Sequence, residues 1–235
     1  MTGVQTCALP IYLRVLIGRL TGRVPGEPAV RALTRRWRAA DVADARKLIV
    51  SRPRIVRLRP NGARLVGESS YRETAEFTAY HQAEVSRVRL WMEGHPHSRH
   101  GAVVAWESER EFRQSTAALL GPTGGGSVHV PDGVAVFADG TRAAVEVERS
   151  VKSPDRLRTV LERVLAAYPM VIYAVASDEV ASAVTAAYRA VVTRHQERGL
   201  SGRLGELVVR PIPSDLIEEV WSWTLLGPAS GGSIS

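Results

Sequence analysis

The chain has 235 residues, 45% hydrophobic and 23% charged, enough for one large domain or two small ones that each bury a core. Its apolar runs fall short of a membrane span, no secretory signal is recognisable, and Cys7 as the single cysteine excludes disulfides and cysteine-based zinc sites, so the expected setting is cytoplasmic. The net charge of +7 is uneven: residues 13–66 hold 14 Arg/Lys against 3 Asp/Glu, a net of +11, and the remainder is net −4. That asymmetry predicts a polyanion-binding module joined to a domain of another purpose. Arg outnumbers Lys 29 to 2, which GC-rich coding explains in part, but such coding does not explain the concentration in one segment.

Residues 1–12, MTGVQTCALPIY, are uncharged and unlike the rest. They resemble a translated sequencing-adapter fragment, so the expectation is a non-native leader and a missing native N-terminus. Leu13 to Leu20 reads as a short helix stopped by Gly22 and Pro25-Gly26. Glu27 to Val42 reads as a longer one, with Pro28 in the first turn and Val30, Leu33 and Trp37 on one face. A short helix is expected over Asp41 to Ile49. Then Arg54 to Arg59 and Ala63 to Val66 flank Pro60-Asn61-Gly62, a hairpin signal.

Helix, helix and basic hairpin, within residues 13–67, is the order of a winged helix, here a truncated one because its opening helix is short. Arg31, Arg35, Arg36 and Arg38 are then available for the major groove, and Arg54, Arg57, Arg59 and Arg64 for phosphates beside the wing. The implied partner is DNA.

After a polar connector at Glu68 to Ser70, the spacing of Phe77, Tyr80, Val85, Val88 and Trp91 predicts a helix over 74–92. His95 to His100 has metal-ligand residue types, but a proline interrupts it and no acidic partner adjoins it, so it reads as a loop. Ala102 to Trp106 reads as a strand that turns toward helix at Glu107 to Phe112, and Gly121 to Ser127 as a glycine-rich connector without a phosphate-loop ending. Pro154 to Tyr168 reads as a helix, Met170 to Ala176 as a buried strand, residues 178–198 as a helix capped by Ser177, and Leu204 to Ile212 as a last strand. Residues 227–235 read as a disordered tail.

Val130 to Lys152, VPDGVAVFADGTRAAVEVERSVK, carries the chemistry. Two strands meet at Ala138-Asp139-Gly140, and Glu146 and Glu148, two apart, share a face. A two-residue turn sets Asp132 opposite Val147, on the wrong face. A three-residue loop with Gly140 left-handed sets it opposite Glu146, and that register is the one expected. Carboxylates so grouped repel one another unless a cation or a basic group offsets them; a solvated strand face is the alternative.

From Thr74 on, the order helix, three strands, helix, strand, helix, strand resembles the PD-(D/E)XK nuclease-like fold, and Pro131-Asp132 with Glu146-Val147-Glu148 resembles its motif. RALTRRW, the Arg52-Pro53 to Gly67 hairpin, TAYHQAEVSRVRLWME, AWESERE, HVPDGVAV and AVEVERSVK together look like the replication-relaxation family of actinobacterial plasmids and mobile elements, over about 27–223. The resemblance implies a winged helix before an α/β domain at 74–223 with a mixed, restriction-endonuclease-like sheet. It also implies a role in plasmid replication or DNA relaxation during mobilisation, beside relaxosome or replication proteins. Asp132 and Glu146 would be Mg²⁺ ligands, joined by the Val147 carbonyl and a first-helix glutamate such as Glu84.

Glu148 stands where the pattern has lysine. It would serve as a base or as another ligand, and Lys152, the only lysine after Lys47, is either the substitute or simply the start of the next helix. Two functions stay open: Mg²⁺-dependent phosphodiester cleavage, and a non-catalytic DNA-binding scaffold or winged-helix regulator, the latter as a homodimer on a palindromic site.

Overall fold

The chain divides into two compact units, Met1–Trp91 with Pro213–Glu219, and Met92–Ile212 with Val220–Ser235. The computed structural model describes residues 7–8, 13, 17, 21–22, 25–46, 55–65, 76–115, 129–200, 204–213 and 225–226. Arg54, the connectors at 68–70 and 121–127 and the tail after 226 lie outside the described residues.

In the first unit, helix α1 (Glu27–Ala39) follows Gly26, with proline in its first turn and Arg36 and Arg38 in its last, where they complement the helix dipole. Leu13, Ile17 and Thr21 are also helical. Asp41, at φ 55, closes α1 in the left-handed region, and the Val42 N–H turns back to the Trp37 carbonyl at 2.9 Å. The chain then leaves as a strand, which corrects the short helix expected from Asp41. Strand β1 (Cys7–Ala8), β2 (Ala43–Arg46) and β3 (Ile55–Leu58) form an antiparallel sheet in the order β1-β3-β2. Ala43 pairs with Leu58 and Arg46 with Ile55. Leu13, Val30, Ala43 and Val56 are buried together, with Ile17 and Trp37 packed against them. Burial of Ala43 in this small core, which a strand with period two achieves, outweighs the helix propensity of its neighbours.

The hairpin expected at Asn61-Gly62 is also corrected. Pro60–Leu65 is a short helix, α2. Strand β3 has β1 on one edge and β2 on the other, so its partner is the strand before it and not a segment after Gly62. Pro60 fits a first helical turn, and the Ala63 N–H donates to the Arg59 carbonyl at 2.8 Å. A Cβ on Gly62 would lie 2.0 Å from the Val42 carbonyl oxygen, so the glycine serves close packing and not a turn. Helix α3 (Glu76–Gly94) buries Tyr80, Val85, Val88 and Trp91 as its spacing predicts.

The second unit is a mixed α/β layer structure. Strands β4 (Val103–Ser108), β5 (Gly133–Phe137) and β6 (Arg142–Glu148) form an antiparallel meander, with a short helix α4 (Glu109–Ser115) after β4. Then β7 (Met170–Val175) and β8 (Glu206–Pro211) continue the sheet parallel to β6, and β9 (Leu225–Leu226) pairs antiparallel to β8. The parallel strands require crossovers, supplied by α5 (Pro154–Ala167) and α6 (Asp178–Glu197). Ser177 caps α6 by accepting from the Val180 N–H at 3.3 Å, and Gly199, at φ 68, ends it. Leu157, Leu161, Val164 and Leu165 of α5, and Val180, Val184, Tyr188 and Val191 of α6, pack with Ala144, Val171, Tyr173, Val175 and Leu207. Both helices therefore cover one sheet face, as successive crossovers of one hand require.

Among the described residues no helix is long and apolar enough to cross a membrane.

Candidate functional site

The β5–β6 hairpin takes the expected register. The Phe137 N–H donates to the Thr141 carbonyl and the Gly140 N–H to the Phe137 carbonyl, both at 2.9 Å, which leaves Ala138, Asp139 and Gly140 as the loop. Gly140 has φ 86, and Asp139 accepts from the Thr141 N–H at 2.9 Å. Val134 pairs with Ala144 and Gly133 with Val145, so the same register carries Asp132 opposite Glu146. With Glu148 two residues on, the three carboxylates share the face of Ala144.

The backbone ladder stops at Gly133, and the Val147 N–H is met by a side chain: it donates to Asp132 Oδ2 at 2.8 Å. The Glu148 carbonyl accepts from Ala176 on the β7 side, so by strand alternation the Val147 carbonyl lies on the β5 side with Asp132. Gly133 lets the Trp106 indole approach, since a Cβ there would meet its ring at 2.2 Å, and this anchors the strand directly after Asp132.

Each glutamate has a basic partner. Glu146 is 7% exposed and meets His129 Nε2 at 2.6 Å. Its carboxyl is pushed up to about 7, chiefly by burial and further by Asp132, against the lowering effect of His129 and Lys152. Glu148, also buried, pairs with Lys152 Nζ, and the Ser150 N–H reaches its other oxygen at 3.5 Å. Lys152 precedes α5 and reaches back to the strand. Tyr173, aligned with Glu146 across β6 and β7, is buried beside the cluster, and burial with the charges of Glu146, Glu148 and Asp132 pushes its hydroxyl up.

Sequence reasoning missed His129 and Tyr173. His129 stands three residues before Asp132 in HVPD and is the only imidazole of that motif. Tyr173 is the one polar side chain in the run Met170 to Ala176. Only the long-range alignment of β6 with β7 brings that tyrosine to Glu146.

Glu84 lies on α3 in the first unit and pairs with Arg87 at 3.7 Å. On α1, Arg31, Arg35, Arg36 and Arg38 are exposed, Arg31 bonding Glu27 at 2.5 Å and Arg38 standing 3.8 Å from the buried Asp44. Arg59 pairs with Asp41 at 2.6 Å, and exposed Arg64 bonds Asn61. Arg57, 8% exposed, stands on β3 across from the buried Asp44 of β2.

The histidine loop is structural. His97 is buried, and its Nδ1 accepts from the N–H groups of Arg99 and His100, each at 3.2 Å. Neutral His97 therefore carries its proton on Nε2, which leaves no lone pair there for an ion. His100 stacks on it at 4.8 Å and meets Asp139 at 2.7 Å, tying the loop to the β5–β6 turn; that hydrogen bond, with the Thr141 N–H next, lowers the Asp139 carboxyl to about 2.

Asp132, Glu146 and the Val147 carbonyl supply hard oxygens on adjoining strands. Among the described residues no three His, Cys, Asp or Glu side chains stand close enough to hold an ion as they lie, so binding would exchange the His129 and Lys152 contacts for it. No family model, curated protein or solved structure matches the chain.

Proposed function

We propose that the chain is a DNA-binding protein of the plasmid replication or DNA-relaxation kind, with a Mg²⁺-dependent phosphodiester-cleaving site in its second unit. The observation that carries this reading is the β5–β6 register, which sets Asp132 opposite Glu146 on the face of Glu148. A strand meander followed by parallel β7 behind a helix supports the restriction-endonuclease-like assignment of the sheet.

The first unit acts as the winged helix. Arg31, Arg35 and Arg38 recur at helical spacings of four and three, which aligns them along one exposed stripe of α1. The antiparallel β2–β3 pair is the strand pair such a module needs beside its helix. Neutralising several phosphates makes affinity fall steeply with salt.

In the second unit Asp132 and Glu146 would hold the ion, with the Val147 carbonyl beside them. When bound, Mg²⁺ supplies a Lewis acid for a phosphoryl oxygen and lowers the pKa of a coordinated water. Glu148 accepts a proton at a carboxylate oxygen, and Lys152 Nζ orients Glu148 through their ion pair. The test is incubation of supercoiled, linear and branched DNA with protein and Mg²⁺ or Mn²⁺. Wild type nicks or cuts, and Asp132→Ala binds DNA equally but does not cleave. Intact DNA in every lane overturns the catalytic part.

One observation favours a second reading, a non-catalytic scaffold or regulator. Glu146 and Glu148 are already partnered by His129 and Lys152, and Asp132 by the Val147 N–H, without an ion. That reading predicts salt-sensitive DNA binding with no divalent-ion affinity at the hairpin.

A further inference from the structure

The loop from His95 to His100 carries the chain from α3 to β4, and one imidazole closes it. His97 is 2% exposed, and its Nδ1 is the single acceptor for the N–H groups of Arg99 and His100. The surrounding backbone is paired in turn: His97 and Gly101 exchange N–H to carbonyl bonds at 2.8 Å, and the Ala138 N–H donates to the Ala102 carbonyl at 2.9 Å. Gly101, at φ 77, permits a close approach, since a Cβ there would lie 3.2 Å from that of Ala138. The loop is thereby seated on the β5–β6 turn.

The two histidines of this loop answer acid in opposite ways. Asp139, with its carboxyl lowered to about 2, stays ionised, so a proton on His100 strengthens the bond between them. A proton on Nδ1 of His97 instead removes the lone pair that both backbone N–H groups use. It also sets a cation against the His100 ring, stacked 4.8 Å away, and against the apolar ring of Phe137 at 5.6 Å. Of the charged and titratable groups facing His97, His100 and Arg99 oppose its protonation. Asp139 and Glu206 favour it, but Glu206 is already paired with Arg99 at 3.0 Å. Burial first, then His100 and Arg99, hold the His97 imidazole below its ordinary value of 6.5.

We propose that His97 is an acid-released latch: neutral, it closes the loop onto the β5–β6 turn through its two backbone bonds, and protonated, it lets the loop open while His100 stays tethered to Asp139. Because the folded value is depressed, the contribution of the latch is complete above 6.5 and is lost as pH falls below it. The device is independent of the cation site proposed above.

The test is an NMR titration of the full-length chain from pH 8 to pH 5 that follows the His97 ring nitrogens and backbone amide exchange. At pH 8 His97 should carry its proton on Nε2. As it titrates, exchange at the Arg99 and His100 amides, corrected for its intrinsic pH dependence, should quicken about tenfold or more while the amides of β7 keep their protection. His97→Asn supplies a side-chain oxygen acceptor that does not titrate, and should abolish the step. Protection that persists once His97 is protonated, the same step in His97→Asn, or loss only together with β7 would each overturn the latch. The wild-type titration decides alone should His97→Asn not fold.

Discussion

Two glycine-bearing segments look alike in sequence and do opposite things. Ala138-Asp139-Gly140 turns the chain between β5 and β6, while Asn61-Gly62 lies inside α2. At the first, Gly140 adopts φ 86 and a Cβ there would meet open space, so the glycine answers a backbone need. At the second, Gly62 keeps helical geometry and lets the Val42 carbonyl approach, so it answers a packing need. A turn signal therefore makes a hairpin only where the flanking strands have free edges to pair. Arg142 to Glu148 found β5 on one side and β7 on the other, whereas β3 was already flanked by β1 and β2.

The contrast is broken most directly by substitution. Gly62→Ala drives a methyl into a backbone carbonyl that has no rotamer to escape by, and should cost about 3 kcal/mol in urea unfolding. If it costs no more than Gly140→Ala, the packing account of Asn61-Gly62 is wrong.

Glu146→Gln sharpens the hairpin side. With a carboxyl raised from 4.5 to about 7, folded Glu146 keeps a proton that the unfolded chain has released, so wild-type stability falls as pH rises through that window. At pH 8 the neutral amide removes a penalty of up to about 3 kcal/mol, and at pH 4 it removes almost none. Thermal melts at the two pH values check this; an equal effect at both would mean that burial does not control the group. Gly140→Ala should show the smallest change, about 1 kcal/mol, from forcing a Cβ into the left-handed region with no clash.

Much of the second unit was legible because its signals are local. Ser177 before α6, the apolar stripe of α5 and the buried run of β7 each follow from a few neighbouring residues, and period-two alternation with a three-residue loop puts Asp132 on the face of Glu146. The first unit was less so. Ala43-Asp44-Ala45-Arg46 favours helix by composition, and the left-handed Asp41 that diverts it into β2 has no mark in the sequence. Within the site, Asp132, Glu146, Glu148 and Lys152 were readable from one hairpin. His129 and Tyr173 were not, because each reaches Glu146 only through the folded register of the sheet.

The hairpin's role as a cation site is open to one direct measurement: calorimetric titration of wild type and Asp132→Asn with Mg²⁺ and Mn²⁺ at constant ionic strength. The asparagine retains an acceptor for the Val147 N–H, so the strand end is preserved while the charge is removed. One ion bound by wild type and none by Asp132→Asn is the predicted result. No ion bound by wild type, or equal binding by both proteins, would contradict it.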